Sequence, residues 1–357
     1  MAAQTNMDAD AQWRRFVAVF LRVLVGGAAI IYLFVLLIDP YDDVAFSLAL
    51  DRQIVSISQR HMYPQIVRSR RFDALIVGDS TSRLLDPELL DREFGVHFAN
   101  LAMDSATAWE QKTMLDYFIR KSGPPRALIV GLDGQWCDPE ADGKRRITFR
   151  GFPDWLYDDN PWNDYLYLFN SETVEIAVRL LGYQFGLHRI RVRYDGYHVF
   201  VPPESEYDLA RARRNVWGRR KPEIPPDIPP PPLSAAERQA LAFPALGWLD
   251  AGLARLPAGS LKILAFMPVN VAAQAWPGTY DAAVEAECKS RIVDIARARG
   301  AKLIDWRFNS PLTHDDANYW DALHYRVPIA TRIAKELGEA VLQEHASPDG
   351  SYRILVP

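Results

Sequence analysis

Two stretches lying far apart in this 357-residue chain hold residue types suited to nucleophilic chemistry. The first is Val77-Gly78-Asp79-Ser80-Thr81, and the second is Trp320-Asp321-Ala322-Leu323-His324-Tyr325-Arg326. A serine hydroxyl is a weak nucleophile until a base takes its proton. An Asp and a His three apart on one turn can set a carboxylate against one imidazole nitrogen. That contact fixes the tautomer and leaves the other nitrogen free to act as the base. Each stretch also has a plain structural reading. Asp79 and Ser80 both suit a helix N-cap, and Asp321 with His324 suits a local hydrogen bond at a helix start.

The elements that must position these residues follow from the apolar pattern. Short continuous apolar runs at 72–78, 96–102, 127–133, 262–270 and 302–307 predict strands covered on both faces. Helical patterns fall between them, at Thr107–Lys121, Asp281–Arg299 and Pro328–His345. In the second of these, Val284, Cys288, Ile292 and Ile295 share one face, and Gly300 stands where a C-cap belongs. Strands alternating with helices predict an α/β domain with about five parallel strands and helices on both faces. Ser80 would then stand at the carboxyl end of the first strand, where such sheets bind ligands. The N–H groups of the turn after it could face a developing oxyanion.

Taken together, the Gly-Asp-Ser after the first strand and the Asp-x-x-His before the last helix resemble the SGNH/GDSL hydrolase superfamily. The resemblance covers roughly 72–135 and 260–345. It implies a flavodoxin-like sheet, no cofactor, Ser80 as nucleophile, His324 as base, Asp321 as its orienter and Asp79 in support. Two further motifs of the superfamily are altered here. Its Asn-x-Gly-x-x-Gly-x-Thr is matched by Asn100-Leu101-Ala102-Met103-Asp104-Ser105-Ala106-Thr107, with Ala102 at the first glycine, whose N–H is expected on the oxyanion. Its Gly-x-Asn is matched by Gly131-Leu132-Asp133, where a carboxylate replaces an amide donor. An ionised Asp133 can only accept hydrogen bonds and would repel an oxyanion unless protonated or turned away.

The rest of the chain frames this domain. Phe16–Ile38 is apolar except for Arg22 and long enough to cross a bilayer. Arg14 and Arg15 precede it and Asp39, Asp42 and Asp43 follow, which predicts a cytoplasmic tail at 1–15 and a single-pass inner-membrane anchor at 16–38. The remainder would lie in the periplasm. A cleaved signal peptide fits less well, because the run ends in Leu37-Ile38-Asp39-Pro40 with no small-x-small site. A helix apolar on every face also suits a soluble core poorly. The expected divisions are a connecting region at 39–71, an SGNH-like domain at 72–138 and 256–345, an insert at 139–255 and a C-terminal tail at 346–357.

The insert carries an aromatic stretch (Trp155 to Phe169), then a basic one (Arg189 to Lys221), then the proline-rich Ile224–Leu233, which must be extended. Its aromatics could stack on sugars and its arginines could pair with an acidic polymer, although packing and solvated charge are the simpler reading. It could also serve as a lid. Cys137 and Cys288 have no zinc spacing; they are either one disulfide or, more simply, two buried thiols. His314-Asp315-Asp316 lacks a second ligand cluster, so no metal is expected. A net charge of −4 gives no sign of nucleic-acid binding.

An anchored SGNH-like domain outside the membrane is similar in layout to proteins that modify cell-surface polymers. It implies a serine esterase or O-acyltransferase acting on acyl esters, acetyl foremost, of a surface or exported polysaccharide, in company with membrane partners of that pathway. The alternative, from another class, is an inactive SGNH-fold subunit that binds a glycan or partner in a modification or export assembly. A lipase is a poorer reading, since no strongly apolar acyl-binding segment lies outside the anchor.

Overall fold

The computed structural model describes the backbone of residues 2–357 and the side chains from Asp10 onward. The chain forms two compact units, one comprising residues up to Ile57 with Asp158–Arg191, the other Ser58–Tyr157 with Val192–Pro357. The expected insert at 139–255 is therefore not one body. Its residues Asp158–Arg191 belong with the N-terminal helix and its remainder with the sheet.

The first unit is built on helix α1 (Ala2–Ile38), which continues without a break through the segment expected as a tail. Its stretch Asp10–Ile38 is long and apolar enough to span a membrane. Its apolar side chains are open on most sides, with Val23 69% and Ile30 71% exposed, whereas Val35, Leu36 and Ile38 are buried. Two helices follow in this unit, α5 (Pro161–Tyr167) and α6 (Ser171–Gln184). The buried Tyr41 hydroxyl meets Thr173 Oγ1 of α6 at 3.1 Å, which ties the chain after α1 to that helix.

The second unit is an α/β domain. Strands β1 (Ala74–Val77), β2 (Phe98–Asn100), β3 (Ala127–Leu132), β4 (Leu261–Phe266) and β5 (Lys302–Asp305) form a parallel sheet in the order β2-β1-β3-β4-β5. This is one of the two common doubly wound orders, with its crevice at the carboxyl ends of β1 and β3. All four β1 residues are buried, which is why the run reads as continuously apolar. Alternate residues serve the two faces. Ala74, Ile76, Ile129, Ile263 and Ile304 share a core with Leu90 of α3 (Pro87–Phe94) and with Ile333 and Leu337 of α12 (Val327–Leu342). Val77 and Val130 of the opposite face meet Leu115 of α4 (Ala108–Ser122) and Leu249 of α9 (Pro244–Ala254).

Two expectations need correction. The tail at 346–357 contains a sixth strand, β6 (Arg353–Val356), antiparallel to β5. The sheet is therefore mixed, and β6 covers the edge that β5 would otherwise leave open. The cysteines are not separate thiols either, because Cys137 and Cys288 form a disulfide with Cα atoms 5.9 Å apart. Cys137 closes the turn after β3, and Cys288 lies on α10 (Tyr280–Arg299), the helix that follows β4. Since β3 pairs with β4, the crossover brings the turn and the helix together.

Candidate active site

Strand β1 ends at Val77, and Ser80–Ser82 form a single 3-10 turn capped by Asp79. Asp79 Oδ1 accepts from Thr81 N at 2.8 Å and Thr81 Oγ1 at 2.6 Å, which fixes the turn that presents Ser80. Asp79 is the cap that its residue type allows, and Ser80 is aimed at the histidine. A side chain at Gly78 or Gly131 would collide with Ser82, whose Oγ lies 2.4 and 1.7 Å from the two Cβ positions. The buried Ser82 can fold under the turn only because glycine stands just after β1, at Gly78, and next to the end of β3, at Gly131.

His324 Nε2 lies 2.9 Å from Ser80 Oγ. Its Nδ1 lies 2.9 Å from Asp321 Oδ2 and 3.0 Å from Oδ1. These three residues come from opposite ends of the chain and form one hydrogen-bonded line. The Asp321–His324 loop is held from several sides. Asp321 Oδ1 accepts the N–H groups of Leu323 and His324 at 2.8 and 2.9 Å. Trp320 N donates to His324 O at 2.9 Å, and Asn270 N, just beyond β4, donates to Ala322 O at 3.0 Å. The Tyr325 hydroxyl donates to Thr81 O, joining the loop to the nucleophile turn.

The electrostatics suit a base with an orienting carboxylate. Partial burial of the ring disfavours the imidazolium, but the Asp321 hydrogen bond and the charges of Asp321, Asp79 and Asp104 outweigh it, so His324 is raised above its ordinary 6.5. Burial pushes Asp321 upward, but His324 and the two backbone N–H donors hold it below the usual carboxylate value.

The altered motif positions have other partners than expected. Ala102 N donates to Asn100 Oδ1 at 3.1 Å, so it is not available to an oxyanion. The reason is the fully buried Asn100, which also donates Nδ2 to the carbonyls of Ser82, Arg83 and Leu85 and pins the chain after the nucleophile. Asp133 is buried, and Gln135 N donates to its Oδ1 at 2.8 Å. Burial and the facing Asp79 carboxyl, within hydrogen-bond reach, push Asp133 well above the carboxylate range. The upward shift disfavours the charged form and so weakens the expected repulsion of an oxyanion.

Beside the Ser80–His324 pair, two backbone N–H groups have no acceptor among the described residues. One is Ser80 N, at the head of its turn, and the other is Ser105 N. Ser105 holds φ 52, in the left-handed region. It occupies the second glycine of the Asn-x-Gly-x-x-Gly-x-Thr motif, a position read past in the sequence. Its loop is drawn to the site by Met103 N, which donates to Gly78 O at 3.1 Å, and by the ion pair of Asp104 with Arg83.

The sequence also gave no warning of a cluster from the former insert. Phe200 and His324 meet in a T-shaped contact, ring centroids 5.3 Å apart. Arg83 lies over the Phe200 ring at 4.5 Å and meets His198 Nδ1 at 3.0 Å. A cavity of about 230 Å³ opens along β3 to β5, beside Asp133, Phe266, Lys289 and Arg307, and its lining includes neither Ser80 nor His324. His314 pairs with Asn309, and Asp316 accepts from Trp217 Nε1 and Asn270 Nδ2, so both serve packing.

The chain matches no protein-family model and no curated protein. The fold and site define an α/β domain with a Ser-His-Asp line at the carboxyl end of its first strand.

Proposed function

We propose that the second unit is an SGNH-type serine esterase or O-acyltransferase, anchored by α1 and facing the periplasm. It would act on acyl esters, acetyl being the simplest, of a cell-surface or exported polysaccharide. The observation that carries this reading is the line Ser80 Oγ, His324 Nε2, His324 Nδ1, Asp321, with both links at 2.9 Å.

In this reading Ser80 attacks the acyl carbonyl while His324 takes its proton and Asp321 steadies the imidazolium. The N–H groups of Ser80 and Ser105 receive the oxyanion. His324 then returns the proton to the leaving oxygen. Water, or a sugar hydroxyl in transfer, then attacks the acyl carbonyl as His324 takes its proton, and the acyl–Oγ bond breaks as His324 passes that proton to Ser80. The part-exposed Ser80 and His324 suit a polymer better than a small enclosed ligand. The disulfide suits an oxidising compartment, in agreement with the cationic flank of α1 staying inside.

A second reading, a binding subunit without turnover, is favoured by the loss of two oxyanion donors, Ala102 N–H and an amide at position 133. The full chain in detergent, assayed on p-nitrophenyl acetate and on an acetylated polysaccharide, separates the two. Acetate release that disappears in Ser80→Ala supports the enzyme. A folded protein that binds glycan equally well with and without Ser80, and releases nothing, supports the subunit.

A further inference from the structure

The first unit has an apolar surface that its own packing does not explain. On α5, Asp164 and, just past its end, Leu168 point inward and are buried. The opposite face carries Trp162 and Leu166, each 78% exposed, and then Phe169, 49% exposed. A soluble surface helix places polar residues there. Beside it, Phe46 is 57% and Leu48 48% exposed, and the Phe46 ring stacks on Tyr165 with centroids 6.2 Å apart. No Lys or Arg occurs between Asp158 and Val178.

The contacts of α1 fix the level of this surface. The exposed apolar part of α1, Phe16 to Leu33, is about 18 residues long, or about 27 Å at the α-helical rise. That is close to the hydrocarbon thickness of a bilayer, about 30 Å. From Val35 onward α1 is covered by its own unit. At this boundary the Tyr32 hydroxyl donates to Tyr165 O at 2.7 Å, and the Phe169 ring meets the Tyr32 ring edge-on with centroids 6.0 Å apart. Helix α5 is thereby held where the lipid-length stretch ends, at the depth where Trp and Tyr collect in membrane proteins.

We propose that α5 and the Phe46–Leu48 segment form a collar that lies in the lipid interface around the outer end of α1. This inference rests on the reading of α1 as a membrane anchor. The occupant is the bilayer itself, because the patch continues the lipid-length surface of α1. With no cation on it, its binding is apolar and largely insensitive to salt. The collar fixes the first unit against the membrane surface at a second point.

The test uses the full chain in phosphatidylcholine nanodiscs. Both native cysteines are in the disulfide, so a thiol-reactive environment-sensitive fluorophore can be placed under non-reducing conditions at Leu166→Cys, Phe169→Cys or Ile30→Cys. Quenchers are a shallow lipid-borne nitroxide, a deep one and aqueous iodide. The expected result is blue-shifted emission at 166 and 169 with loss of intensity to the shallow nitroxide, and loss to the deep nitroxide at 30. Labels at 166 and 169 quenched by iodide alone, with 30 still quenched by lipid, overturn the collar and leave the anchor intact. If 30 is also quenched by iodide alone, the anchor fails and the collar with it.

Discussion

The hydroxyl of Tyr325 donates to the carbonyl of Thr81, so the residue after His324 is tied to the residue after Ser80. Tyr325 is 1% exposed, which places this bond in the core beneath the site. It sets the distance between two loops separated by most of the chain. Tyr325→Phe keeps the ring and leaves the Thr81 carbonyl without this donor. The expected cost is about 1–3 kcal/mol of stability, with esterase turnover falling while KM holds. Thermal unfolding and steady-state kinetics check both, and an unchanged kcat contradicts the tie.

The base should titrate above an ordinary imidazole. His324 is raised in the folded protein, so its pairing with Asp321 adds stability that is full below about pH 6.5 and lost as pH rises through the folded value. Catalysis runs the other way, because only the neutral ring accepts the Ser80 proton. The acidic limb of kcat/KM against pH should rise through a value above 6.5. Asp321→Asn should move that limb down and lower the plateau by about 10²–10⁴. A wild-type limb below 6.5 contradicts the pairing.

Asp133 should behave as a neutral group. Burial and the Asp79 carboxyl raise its folded pKa above the ordinary carboxylate value of 3.8, so the stability it contributes is full at lower pH and is lost as pH climbs through the folded value. Asp133→Asn keeps the shape and removes the titration. The melting temperature of this variant should gain on the wild type as pH rises from about 4, and turnover at neutral pH should be kept. A variant that loses ground with rising pH would show that the ionised carboxylate is the working form.

The disulfide closes a loop of 151 residues in sequence separation. Chain-entropy reasoning assigns a loop of that length about 5 kcal/mol. The double variant Cys137→Ser with Cys288→Ser should unfold at markedly lower denaturant concentration than the oxidised protein. Added reductant should lower the wild type alone. Coincident unfolding curves contradict a structural role.

The parallel sheet was legible because each strand is buried on both faces and so reads as an unbroken apolar run. β6 was not, because Arg353, Ile354 and Leu355 keep some exposure at the sheet edge and the strand follows a polar stretch. The types and local spacing of Ser80, Asp321 and His324 left cap and local hydrogen-bond readings open, and only the resemblance of the two motifs to a known superfamily singled the three residues out together. Their surroundings were not legible, since Phe200 and His198 come from a segment with no helical or strand period. Ala102 was assigned a free N–H because the motif shows only its own residue. The competing acceptor, Asn100 Oδ1, becomes visible only once the turn is folded. Ser105 was within reach of sequence reasoning, since a motif glycine marks a backbone position with positive φ. The cysteine pairing required knowing that the turn after β3 faces α10.

The central claim is that Ser80 is a nucleophile activated by His324. Labelling of the full chain by a serine-directed fluorophosphonate, with the modified peptide identified by mass spectrometry, tests it most directly. The account requires one adduct, on Ser80, forming faster as pH rises through the His324 value and absent in Ser80→Ala and slowed in His324→Ala. No adduct on a folded protein, or one whose rate ignores the loss of His324, would contradict it.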